Sequence, residues 1–303
     1  MTPSPPASSA AEGAPPGGGV SPLVTAAELA ALLGSAAPVH VLDVRWSLDR
    51  PGLGPADFAA AHVPGAVFVD LATELAEPGR PAHEGRHPLP SAERLQRATA
   101  RWGLRAGDPI VVMDDSGGLA AARAWWLLRH AGVGAVRLLD GGLAAWRAAG
   151  GALETGPGGP DQASAGIPIA FGAMPVLDAD SAAGLARTGV LVDARAAERY
   201  RGETEPIDPV AGHVPGAVSA PTVGNLGADG RFLDPAALRA RFAGLGAEPD
   251  GPAVGVYCGS GVTAAHEVLA LEVAGVAAAL YPGSWSAWSN TPGRPVATGA
   301  DPG

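Results

Sequence analysis

The chain repeats itself with a period near 150 residues, and this constrains its fold more than any other feature. "AHVPGAVFVD" at Ala61 returns as "GHVPGAVSAP" at Gly212, so His62 and His213 stand 151 residues apart. Upstream, Asp43 in "VHVLDVR" and Asp193 in "GVLVDAR" are 150 residues apart. Downstream, "IVVMDDSGGLAAARAWWLLRHAGVGAVRLLDGGLAAW" is answered by "VGVYCGSGVTAAHEVLALEVAGVAAALYPGSWSAW". Three blocks in one order at nearly one spacing mark a duplicated domain. The expected division is a disordered Pro/Gly-rich tail over 1–20, a first domain over 21–151, a linker over 152–174 and a second domain over 175–303. The break falls in "ALETGPGGPDQASAG", which has linker composition.

Each half alternates short apolar runs with helical stretches. Val39–Val44, Ile110–Met113, Val190–Val192 and Ala253–Tyr257 read as strands. Ala26–Leu33, Ala92–Trp102, Ala120–His130 and Thr263–Ala274 read as helices. Strands interleaved with helices predict an α/β fold, each half a small, mainly parallel sheet flanked by helices. Ligands of such sheets bind beyond the carboxyl ends of the strands.

Composition excludes several function classes. The net charge is −10, from 20 basic and 30 acidic residues. No basic run of five or more occurs, which argues against nucleic acid and anionic membranes as partners. No apolar run approaches the roughly 20 residues that span a bilayer. A single cysteine forms no internal disulfide, so the expected compartment is the cytoplasm.

That cysteine, Cys258, stands at the end of a strand and opens "CGSGVT". Gly259 and Gly261 give the loop backbone angles closed to other residues. Successive N–H groups then form an anion-binding nest, and the helix that follows adds its unpaired donors and the positive end of its dipole. Such a cradle stabilises a thiolate and can hold an anion built on it, such as a persulfide. The alternative is a buried structural cysteine. Aligning Gly118 with Gly261 places Asp115 opposite Cys258. The first half thus reads as a non-catalytic copy in which a carboxylate replaces the thiol, leaving one active site.

These motifs resemble the rhodanese superfamily in its tandem two-domain sulfurtransferase form. The resemblance runs from Val24 to Pro295 and rests on "CGSGVTA", "GHVPGA", "RYRGETEP", "RAWWLLR", "LLDGGLAAW" and "YPGSWSAW". It implies two tandem rhodanese-like domains and transfer of a sulfane sulfur from a small anionic donor to a thiol or cyanide, through a persulfide on Cys258. Cys258 is then the nucleophile, and Gly259, Ser260, Gly261, Val262 and Thr263 bind the anionic sulfur and substrate. Arg199 carries over as the arginine for the substrate anion, with Arg201 nearby. No cofactor and no metal are implied, and a monomer is expected. The neutral Gly259 and Ser260 match relatives that use 3-mercaptopyruvate, where thiosulfate enzymes carry cations after the cysteine. The second arginine of mercaptopyruvate enzymes is missing, its place falling near Asp208. Ala72 stands about where some relatives have an acidic residue that polarises the serine. His87, in "GRHPLP", matches a histidine near that site, and Trp46 a tryptophan that faces it across the domain interface.

Other residues read as scaffold. Asp193 and Arg195 form a buried pair. His62 and His213 occur in both halves, so they read as turn-capping rather than catalytic. Three further functions stand as alternatives. One is a thiosulfate sulfurtransferase acting on thiosulfate and cyanide. Another is a persulfide carrier that serves a partner protein without small-molecule turnover. The third is a phosphatase of the C-x5-R type, which the Ala264 at the arginine position opposes.

Overall fold

The structure, a computed structural model, describes residues 21–48, 50, 52–160 and 164–303. The tail expected over 1–20 lies outside them. In the first half β1 (Leu23–Val24), β2 (His40–Asp43), β3 (Val67–Phe68), β4 (Ile110–Met113) and β5 (Val136–Leu139) form one sheet in the order β1-β5-β4-β2-β3. In the second half β6 (Val190–Asp193), β7 (Val218–Ser219), β8 (Val254–Tyr257) and β9 (Ala278–Leu280) form another in the order β7-β6-β8-β9. Every pairing within the two sheets is parallel. A single parallel bridge from Val176 to Leu280 stands where β1 pairs with β5, so the two sheets follow one plan.

The central strands β4 and β8 are buried along their whole length. Helices cover both faces, which is why "IVVM" and "VGVY" lack the apolar–polar alternation of a half-exposed strand. The helices that follow them, Ala121–His130 and Thr263–Val273, pack against each other and are largely buried. They form the seam between the halves. Trp125 and Trp126 on the first helix, with Leu269 and Leu271 on the second, belong to one hydrophobic cluster drawn from both domains. Trp285 and Trp288 fill a separate core behind β8.

The two His-x-Pro-Gly motifs do the same structural work in each half. His62 Nδ1 bonds the Phe58 carbonyl at 2.9 Å and its ring stacks on Phe58 at 4.0 Å. His213 Nδ1 bonds the Tyr200 carbonyl at 2.8 Å and stacks on Tyr200 at 3.8 Å. Each ring closes a turn and neither reaches the cysteine loop. Among the described residues no helix is long and apolar enough to cross a membrane.

Candidate active site

Cys258 follows the last residue of β8, is only 1% exposed, and faces a cleft of about 790 Å³ between the two domains. Its loop is braced from behind. The Cys258 N–H donates to Ser284 Oγ at 3.1 Å, while Trp285 N–H donates to the Cys258 carbonyl and Ser286 N–H to the Gly259 carbonyl, both at 2.9 Å. Ser284 holds a left-handed φ of 54° to make this contact. Gly261 has φ +76°, and a Cβ there would lie 2.3 Å from the Pro282 carbonyl oxygen, so only glycine fits. The Gly261 N–H donates to the Cys258 sulfur at 3.1 Å. Helix Thr263–Val273, which follows the loop, begins with no side-chain cap, so no side chain competes with an anion for its first N–H groups.

The first half shows what such a nest binds. Asp114, wholly buried, accepts four backbone N–H groups. Ser116 and Gly118 donate to one oxygen at 2.9 and 2.8 Å; Ala120 and Ala121 donate to the other at 2.9 and 3.0 Å. The expectation that Asp115 stands opposite Cys258 is corrected. Met113 pairs with Asp43 as Tyr257 pairs with Asp193, so the next residues, Asp114 and Cys258, are equivalent. Leu143 N–H donates to the Asp114 carbonyl just as Trp285 N–H does to that of Cys258. The first loop is one residue longer, and aligning its second glycine shifted the register. Asp115 instead lines the cleft and lies 3.5 Å from Arg45.

Two guanidinium groups meet at the mouth of the loop. Arg199 is gripped by Glu205, with Nη2 to Oε1 at 2.6 Å and Nε to Oε2 at 3.2 Å, and it also lies 3.4 Å from Asp208. Its Nη1 remains directed at the loop, 3.4 Å from where a Cβ on Gly259 would sit. Arg86, from the first domain, brings Nη2 to 3.3 Å from that same point. Its Nη1 bonds Asp208 at 2.5 Å. Asp208, which stands where a second arginine was expected, thus holds an arginine delivered by the other domain. Arg86 was missed in the sequence because nothing local marks it; its neighbour His87 was the available signal. Arg201 turns away from the cleft and pairs with Glu203 at 2.7 Å.

His87 Nδ1 lies 2.8 Å from Ser260 Oγ, across the domain boundary. Burial, reinforced by the Arg123 and Arg86 charges, pushes the His87 pKa down to about 4, so the ring is neutral at neutral pH. Among the described residues no carboxylate bonds to His87, consistent with Ala72 standing in the acidic position. Trp46 lines the cleft and meets His87 edge-on at 5.4 Å. Arg195 is locked on Asp193, its Nη2 2.6 Å from Oδ2, and its guanidinium lies over the Trp285 ring at 4.5 Å. Among the described residues no group of His, Cys, Asp and Glu is arranged to hold a metal ion.

The sequence matches the rhodanese-like domain model twice, over residues 25–149 and 178–291. It is 49% identical over 287 residues to the Mycobacterium tuberculosis protein named "Putative thiosulfate sulfurtransferase SseB", covering 91% of this chain and 97% of that one. It is 48% identical over 285 residues to a Pseudomonas aeruginosa protein named "Probable 3-mercaptopyruvate sulfurtransferase", covering 91% and 98%. The crystal structure of SseA from Escherichia coli, described as a 3-mercaptopyruvate sulfotransferase, superposes with a TM-score of 0.75 at 30% identity, covering 88% of this chain and 99% of that one. Two matched domains, one cysteine loop and relatives aligned along almost their full length lead to one assignment: the chain belongs to the rhodanese-like family, as a sulfurtransferase of two tandem domains.

Proposed function

We propose that this chain transfers sulfur through a persulfide on Cys258, with 3-mercaptopyruvate as its preferred donor. The Cys258 thiolate attacks the donor sulfur, and an S–S bond forms as the donor C–S bond breaks. The electron pair of that bond passes into the carbon chain as the enolate of pyruvate, which takes up a proton and leaves as pyruvate. An acceptor, cyanide or a thiolate, then attacks the outer sulfur. It leaves with that sulfur as thiocyanate or a persulfide, and the Cys258 thiolate is restored.

The observation that carries this reading is the contrast between the two nests. In the first half the nest is filled by a carboxylate that takes four N–H groups. In the second, the Gly261 N–H is held by the Cys258 sulfur. An outer sulfur on Cys258 would occupy the space that the Asp114 carboxylate fills, and the loop N–H groups would bear its negative charge.

Charge at the mouth supports the monoanionic donor. Arg86 and Arg199 face Gly259, and their charges are offset behind by Asp208 and Glu205. A clamp with no net charge suits one carboxylate better than the two charges of thiosulfate. The Ser260 hydroxyl, bonded to neutral His87, faces the donor carbonyl and can supply a proton to the enolate. The test is kcat/KM for 3-mercaptopyruvate and for thiosulfate, with cyanide as acceptor, on the full chain. A higher value for mercaptopyruvate is expected. A higher value for thiosulfate would overturn the donor assignment, and absence of an added sulfur on the Cys258 peptide in mass spectra would overturn the persulfide.

A further inference from the structure

Arg123 is wholly buried at the seam between the domains, on helix Ala121–His130 of the half that lacks the cysteine. Its hydrogen bonds all go to neutral carbonyls. Nη1 donates to Gly261 at 3.1 Å, Nη2 to His87 at 2.9 Å, and Nε and Nη2 to Leu75 at 3.3 Å. Among the described residues no carboxylate pairs with it. An ion withdrawn from water without a counter-ion is strongly unfavourable, so a buried guanidinium in this state calls for a compensating negative charge. Gly261, whose carbonyl it holds, donates its own N–H to the Cys258 sulfur.

The duplicated fold supplies a control. Gly132 and Gly275 end equivalent helices 143 residues apart, and the same offset sets Arg123 against His266. His266 reaches across the seam in the opposite direction, its Nε2 3.1 Å from the Gly117 carbonyl of the first loop. Each loop is therefore braced at a glycine carbonyl by the other domain's helix. The brace behind the Asp114 loop is a histidine that burial keeps neutral, with a pKa of about 4. The brace behind the cysteine loop carries a permanent charge.

The charges at the mouth of the loop are already matched. Arg86 and Arg199 pair with Asp208 and Glu205. Asp115, on the far side of the cleft, lies beside Arg45, and His87 is neutral. We propose that Arg123 is a positioning residue that supplies the fixed counter-charge of the Cys258 sulfur anion from behind the loop. Burial pushes the Arg123 pKa down to about 10, which leaves it charged at neutral pH, and negative charge on Cys258 pushes it back up. That coupling is mutual, so the same guanidinium favours the anionic sulfur. The half without a cysteine thereby contributes charge to the reaction as well as a wall to the cleft.

This inference rests on the sulfur-transfer role of Cys258, but its test needs no sulfur donor. Cys258 is the chain's only cysteine, so ultraviolet thiolate absorbance and iodoacetamide alkylation of the full chain report on it alone. In Arg123→Gln the thiolate fraction at neutral pH should fall about tenfold or more, and Arg123→Lys, which keeps the charge but not the fork, should restore most of it. A folded Arg123→Gln with the wild-type thiolate fraction would overturn the proposal, as would equal losses in the Gln and Lys variants. If Arg123→Gln does not fold, the wild type decides. A thiolate held by a buried charge keeps its fraction from low salt to about 1 M, whereas one held by the exposed arginines at the mouth loses it, and that loss would overturn the proposal. Failure of sulfur loading with an intact thiolate would overturn the proposed function alone.

Discussion

Asp114 and Cys258 stand at the same point of two equivalent sheets, one residue beyond β4 and β8, and the side chain of each accepts backbone N–H from its own loop. Asp114 fills its nest with two oxygens; Cys258 places one sulfur at the edge of its own. The first loop is therefore closed to any further anion.

Asp114 should matter for stability and not for turnover. Asp114→Ala leaves four backbone donors without a partner in a buried site, each unsatisfied group costing about 1–3 kcal/mol before water or relaxation offsets part of it. Removing a carboxylate whose ionised form burial already disfavours offsets some more. The expected loss is about 2 kcal/mol or more in urea unfolding. Sulfur loading should stay at one per chain and kcat/KM within a few-fold. A selective collapse of kcat in a well-folded variant would place chemistry in the first half.

The nucleophile itself has a simpler test. Cys258→Ser retains a small group at a buried position but cannot carry sulfur, so transfer should vanish while the melting temperature holds. Residual transfer above about a tenth of wild type would contradict a persulfide on Cys258.

The mouth of the loop should discriminate donors by its arginines. A charge-assisted bond is worth about 1.5–3 kcal/mol, or roughly 10- to 150-fold in kcat/KM. Arg86→Gln should show such a loss with 3-mercaptopyruvate, mainly through KM. Arg199→Gln should lose more, because it also strips Glu205 of its nearest cation and leaves it only Arg195, 3.4 Å away, beside the donor carboxylate. If Arg86→Gln behaves as wild type, the first domain takes no part in donor binding.

Much of this site could be read from the sequence because it is local. Cys258 to Thr263 is one strand-to-helix turn, and the pairing of Asp193 with Arg195 spans two residues. The central strands and the seam helices also stood out, since their apolar runs are long for their length. What could not be read is what the tertiary fold assembles. Arg86 and Arg123 reach the cysteine loop from the other domain, and β9, with its "AAL", has no β-branched residue to mark it as a strand. The misplacement of Asp115 has a physical cause as well. Glycine spacing inside a loop does not fix register, whereas the hydrogen-bonded strand before it does.

His87 should set an acid limit on the reaction. Its pKa is lowered to about 4, so the neutral ring persists well below the usual histidine range, and a protonated ring can only donate toward Ser260. His87→Gln should lower the plateau of kcat/KM with 3-mercaptopyruvate. The ratio of wild type to His87→Gln, in which groups common to both cancel, should stay level from neutral down to about pH 5 and fall below that. A ratio that falls around 6.5 would mean that the ring is not buried as described.

Glu267 should shape stability in the opposite direction. It lies wholly buried on helix Thr263–Val273, with Oε2 2.6 Å from Asn225 Nδ2, Oε1 without a hydrogen bond, and Arg241 no closer than 3.8 Å. Burial raises its pKa from 4.5 to about 7. A carboxyl raised in the folded state contributes stability that is fully present below about pH 4.5 and lost as pH rises through about 7. The depressed histidines, His87, His130 and His266, contribute stability present above about 6.5 and lost as pH falls below it, toward 4 for His87 and His266. The wild-type optimum therefore mixes two opposed trends, and Glu267 is isolated only by comparing variant with wild type at each pH. Glu267→Gln keeps an oxygen for Asn225 and removes the titration. Relative to wild type it should gain on the order of 1–3 kcal/mol between pH 5 and pH 8 in urea unfolding. A difference that stays constant across that window would show that Glu267 is already ionised at pH 5 and that its burial is compensated by Arg241.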